Sequence, residues 1–88
     1  MQTPNDPEAI ALSALAATLS DERRARRFIE LTGIGTGELR RRAGERSLLA
    51  ALIAFLEAHE PDLISVAEEI GVEPAALAAI RHDLEGSR

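Results

Sequence analysis

Leu48-Leu49-Ala50-Ala51-Leu52-Ile53-Ala54-Phe55-Leu56 contains no polar side chain. Wound as a helix, it is apolar on every side, the pattern of a helix buried by neighbours around most of its circumference. It is far shorter than the roughly 20 apolar residues that cross a bilayer. The stretch is therefore expected to form the central helix, about residues 46–59, of a small soluble all-α bundle.

The segments on either side carry the punctuation of short helices. Downstream, Glu60-Pro61-Asp62 opens a helix, because proline fits its first turn and acids favour its positive end. Leu63, Val66, Ala67 and Ile70 then give an i, i+3, i+4, i+7 stripe, Gly71 caps it, and Val72 packs inward. Glu73-Pro74 repeats the start, with Leu77, Ile80 and Leu84 on one face and Gly86 at the end. Upstream, Asp6-Pro7-Glu8 starts a helix over Pro7 to Leu19, in which Ile10, Leu12, Leu15 and Leu19 supply bulk and the alanines between them permit close packing. Ser20 is expected to cap the next helix, whose inner face is Ala25, Phe28, Ile29 and Thr32. Arg23, Arg26, Arg27 and Glu30 fall opposite, and Glu22–Arg26 and Arg26–Glu30 stand at pairing distance along the helix. Gly33 closes it, Gly35-Thr36-Gly37 turns into a short helix to about Ala43 with Leu39 and Ala43 inward, and His59 falls in the last turn of the central helix. Short connections predict that sequential helices pack as neighbours.

Composition agrees. Hydrophobic residues make up 45% of the 88, enough for a core. A chain of this length buries a little over about 60% of the surface its unfolded form exposes, so it is expected to fold as one domain, residues 1–88. Residues 1–5 and 86–88 are expected to be frayed tails. The chain has no cysteine, which excludes disulfides, thiolate metal sites and cysteine nucleophiles. Met1 to Ile10 has neither basic residue nor apolar run, so no signal peptide is expected, and the default compartment is the cytoplasm.

Phe28-Ile29-Glu30-Leu31-Thr32-Gly33-Ile34, then Phe55-Leu56 with Glu60, then Ala67-Glu68-Glu69-Ile70-Gly71-Val72-Glu73-Pro74, resemble domain-of-unknown-function family 3572. These are short all-helical bacterial proteins, mostly alphaproteobacterial. The resemblance spans about Asp6 to Leu84 and implies an all-helical fold. Its motifs are core and capping residues, so it implies no activity. Gly33-Ile34 with Leu39 also echoes Gly71-Val72 with Leu77, either through an old duplication or because tight helix joints converge on this pattern.

The polar feature with most information is arginine. All ten basic residues are arginine, and eight lie between Arg23 and Arg46, facing three acids there. Residues 1–22 carry four acids and no base, residues 47–88 eight acids and two bases, and the whole chain has a net charge of −5. That balance argues against general affinity for nucleic acid or anionic membrane. Arg23, Arg26, Arg27, Arg40, Arg41 and Arg46 form the candidate partner-binding face; the bland alternative is a solvated surface whose arginines pair with the molecule's own acids.

No other pattern rises to a chemical motif. A helix-turn-helix over Val66 to His82 would present Ala75, Ala78, Arg81, His82 and Glu85, a poor set for reading base edges. The earlier copy, with Arg40 and Arg41 backed by Arg23 and Arg27, is better charged but short. Both phenylalanines point inward, leaving nothing for base stacking. Gly33, Gly35 and Gly37 lack the strand and Lys-Ser/Thr of a phosphate loop, and the bland reading is a helix joint. His59 and His82 have no metal-ligand spacing, Glu68-Glu69 point about 100° apart on a helix, and no serine has a base at motif spacing.

The reading is an all-α single-domain bundle of five or six short helices. It is expected to be no enzyme and to need no cofactor or metal. A protein-interaction role through the arginine face is favoured, with homodimerisation open. The competing class is a helix-turn-helix-like nucleic-acid binder using the same arginines.

Overall fold

The computed structural model describes residues 6–86. Among them are six helices and no strand: α1 (Pro7–Leu19), α2 (Glu22–Thr32), α3 (Thr36–Arg42), α4 (Arg46–Glu57), α5 (Glu60–Ile70) and α6 (Pro74–Gly86). The expected tails at residues 1–5 and 87–88 lie outside the described residues, and Gly86 belongs to α6.

The central helix is the apolar run. Leu48, Leu49, Ala50, Leu52, Ile53, Phe55 and Leu56 are all buried, and only the small Ala51 and Ala54 face out. α1 and α6 pack against α4, and α5 closes against all three. The stripe on α6 is buried at Leu77, Ile80 and Leu84; on α5, Val66 and Ala67 are buried while Leu63 and Ile70 are half-buried. Phe28 of α2 meets Phe55 of α4 edge-on, with centroids 5.2 Å apart and planes at 67°, a favoured geometry for two aromatic rings.

α1 departs from its expected face at Leu12. Ala11 and Ala14 are wholly buried, with Leu15 and Thr18, while Leu12 is 44% exposed and Ile10 and Leu19 are half-buried. Small side chains let α1 approach α4, α5 and α6 closely, which outweighs the bulk of Leu12. Thr18 is tolerated there because its hydroxyl donates to the Ala14 carbonyl at 2.8 Å.

Two boundaries and one inner-face residue differ from expectation. Asp21, not Ser20, caps α2: its carboxylate accepts from the Arg24 N–H at 3.0 Å, while the Ser20 hydroxyl donates back to the Ala17 carbonyl. α4 ends at Glu57, and His59 is the extended residue that opens α5, because Pro61 must sit in the first turn of a new helix. Thr32 is exposed, its hydroxyl donating to the Phe28 carbonyl and accepting from the Ile34 N–H.

The two echoing joints share their glycines and differ in their closure. Gly33 and Gly71 both hold left-handed φ, 73° and 80°. After α5 the Val72 N–H returns to the Ala67 carbonyl in the six-to-one bond of a Schellman turn. After α2 only the Gly33 N–H returns, to Ile29. Ile34 and Val72 both rest half-buried against the core.

Candidate functional site

Six arginines make up the sequence-derived face, and the fold divides them. Arg23, Arg26, Arg40 and Arg41 are exposed and have no ion-pair partner among the described residues. Arg27 and Arg46 are engaged within the fold. Arg27 Nη1 donates to Asp62 Oδ2 at 2.7 Å, and its guanidinium lies 5.2 Å from the centroid of the Phe55 ring. Arg46 pairs with Glu8, tying α4 to α1. Asp62 is only 5% exposed, so the acid expected merely to open α5 instead anchors α2.

The helical geometry explains the division on α2. Phe28 faces the core, and Arg24, four residues before it, lies on the same side. Ala25 and Ile29 form the next strip, and Arg26 follows about 100° on from Ala25. On α3, Leu39 is the single buried side chain, with Thr36, Arg40 and Ala43 on the adjoining strip. These strips face each other across a groove of about 250 Å³. Its lining is Leu15 and Leu19 of α1, Ala25 and Ile29 of α2, and Thr36, Leu39, Arg40 and Ala43 in and just after α3. The groove is apolar along its floor, with Arg40 in its wall.

Arg41 folds back over Gly37, its guanidinium 4.0 Å from where a Cβ would stand. Arg42, at the end of α3, is held by Glu45 at 2.8 Å and Glu38 at 3.5 Å. Hydrogen bonding to Glu45 raises its already high pKa, so Arg42 stays charged. Gly33, Gly35 and Gly37 divide among the end of α2, the extended cap of α3 and the first turn of α3.

Arg24 is the polar residue that periodicity did not single out. It is 5% exposed, and its Nη2 donates to Glu69 of α5 at 3.0 Å and to the Ala17 carbonyl of α1 at 3.3 Å. Its Nε is buried without a partner. Arg24 and Arg27 thus run two bridges from α2 to α5. The one available signal was the spacing of Arg24 to Phe28.

Elsewhere the polar groups stand apart. On α6, Arg81 is held between Glu57 and Glu85, its pKa raised chiefly by the hydrogen bond to Glu57, so the α6 surface presents no unengaged arginine among the described residues. His59 and His82 are exposed at separate positions, and the described residues contain no group of three or more side chains arranged for a metal. No described helix is long and apolar enough to cross a membrane.

Phe28 stands against Phe55, Gly33 and Gly71 hold left-handed φ, and Pro74 starts α6. The family model described as "Protein of unknown function (DUF3572)" matches residues 4–87, nearly the whole chain. The chain belongs to that family. No curated protein and no solved structure matches it. Family membership carries no activity with it, so function rests on the surface just described.

Proposed function

We propose that this family member is a non-enzymatic protein-interaction module that engages an acidic partner surface through α2 and α3. One observation carries the reading. In a chain of net charge −5, four exposed arginines have no acid partner among the described residues and gather on the two helices that wall an apolar groove. Arginine beside apolar surface is the composition of binding hot spots, where a guanidinium pairs with carboxylates and the groove takes an apolar anchor. The groove, about 250 Å³, falls below the roughly 300–1,000 Å³ of small-molecule and cofactor pockets, which favours a side-chain anchor.

The test is fluorescence anisotropy with a labelled amphipathic helical peptide carrying glutamates beside a leucine stripe. Duplex DNA and single-stranded RNA run in parallel at low and physiological salt. The expected result is peptide binding that survives physiological salt and is lost in an Arg40→Glu/Arg41→Glu variant. Binding confined to the nucleic acids and falling steeply with salt would replace this reading with a phosphate-directed one.

A further inference from the structure

We infer that the groove between α2 and α3 accepts α5 of a second copy of this chain. The inference rests on the interaction reading above and names its partner. The outer face of α5 has the complementary chemistry. Ile64 is 41% exposed, and Glu60 and Glu68 stand four residues before and after it, both exposed. At about 100° per residue the three fall within an arc of about 80° and span about 12 Å. Neither Glu60 nor Glu68 has an ion-pair partner among the described residues, whereas their neighbours Asp62 and Glu69 are spent on Arg27 and Arg24. One surface is therefore an apolar anchor between two unpaired carboxylates. The other is an apolar groove with Arg40 in its lining, on helices that also carry the exposed and unpaired Arg23, Arg26 and Arg41.

Both surfaces come from one chain and carry opposite charge, so each copy holds a donor face and an acceptor face. Such a contact closes into a two-fold dimer when two copies engage reciprocally, and otherwise extends into rings or chains. Ile64 fills the groove floor formed by Leu39, Ile29 and Leu15, and Glu60 and Glu68 meet the arginines at its rim. Because the charged pairs lie at the rim, association weakens as salt rises from about 0.05 to about 0.5 M.

Sedimentation equilibrium of the full chain from about 10 µM to about 1 mM, the regime of small interfaces, tests this. Three proteins are compared: wild type, Arg26→Glu/Arg40→Glu, and Ile64→Arg/Glu68→Arg. The expected result is a wild type that self-associates and two variants whose dissociation constants rise at least about 10-fold, since like charges then face each other. Mixing the two variants joins one reversed groove to one reversed α5, and one native groove to one native α5, so the mixture associates one to one. That rescue also shows both variants folded; if circular dichroism shows lost helix, Arg40→Gln and Ile64→Ser replace them. A wild type monomeric throughout, or association indifferent to both variants, overturns the inference. The interaction reading stands separately if the acidic peptide still binds the monomer, and falls with it if the peptide does not.

Discussion

Arg27 and Asp62 are joined by a 2.7 Å ion pair across α2 and α5, with the carboxylate side chain 7% exposed and the guanidinium 32% exposed. Asp62 is thereby buried with its charge answered by one residue 35 positions earlier, and the same guanidinium covers the ring of Phe55. Removing the arginine leaves the carboxylate buried and unanswered. Arg27→Ala is expected to destabilise the fold by about 2–3 kcal/mol, below the fully buried case because water reaches the guanidinium. Asp62→Ala, which strands only the wetter partner, costs less, about 1–2 kcal/mol. Urea midpoints with unchanged slopes measure both, and a double-mutant cycle isolates the pair.

Arg24 gives the opposite sign. Its guanidinium is buried, its Nε makes no hydrogen bond, and its partner Glu69 is 47% exposed. Arg24→Met keeps the volume, removes the orphaned donor and strands an acid that water can solvate. It is expected to be neutral within about 1 kcal/mol or stabilising, as with other buried charges replaced by apolar residues. Arg24→Ala leaves a cavity between α1, α2 and α5 and is expected to cost about 2 kcal/mol. Equal losses in the two variants would show that the charge itself holds α2 in place.

These two arginines mark the limit of what the sequence discloses. Acid–proline starts open α1, α5 and α6, and glycines close α2 and α5, since each signal acts within one turn of the residue that carries it. The buried face of α4 is legible because nine successive apolar residues leave no other choice. Only its spacing to Phe28 set Arg24 apart from Arg23 and Arg26, and nothing local set Arg27 apart, because what engages the two is Glu69 and Asp62 on a helix far along the chain. The same holds for Leu12: its exposure follows from how closely Ala11 and Ala14 let α1 approach, a property of its neighbours. The groove was likewise hidden, being built by three helices at once.

Asp21 ties stability to pH. The Arg24 N–H donates to its carboxylate and holds its pKa below the ordinary value, with the Arg24 charge adding to the effect. A folded pKa lower than the unfolded one means that the stabilisation is fully present above the unfolded pKa, near about 3.9, and is lost as pH falls through the folded value. Asp21→Ala should therefore lower the thermal midpoint at pH 7, and the gap from wild type should narrow progressively below about pH 4. Asp21→Asn, which keeps an acceptor for the same N–H, should lose less at pH 7 and show less of this pH dependence. Parallel melting curves from pH 3 to pH 7, with a constant gap throughout, would show that the carboxylate charge contributes nothing to the cap.

Leu39 connects the least anchored helix to the proposed surface. α3 buries this one side chain, begins at Gly35 without a side-chain cap, and is otherwise fastened by Arg42 to Glu38 and Glu45. Leu39→Ala removes the anchor, with a local cost of about 2–4 kcal/mol. A helix held so lightly is expected to open before the core does, so much of that cost appears as local unfolding of α3 and the global midpoint falls by less. Hydrogen exchange read residue by residue should show protection lost over Thr36–Arg42 while Leu49 to Leu56 keep theirs. Binding should follow the local event: with α3 open, Arg40 no longer faces Ala25 and Ile29, and affinity for the acidic peptide should drop even though every arginine remains. Uniform loss of protection across α3 and α4 would instead mean that α3 folds as one unit with the core, and that the groove is as rigid as the bundle beneath it.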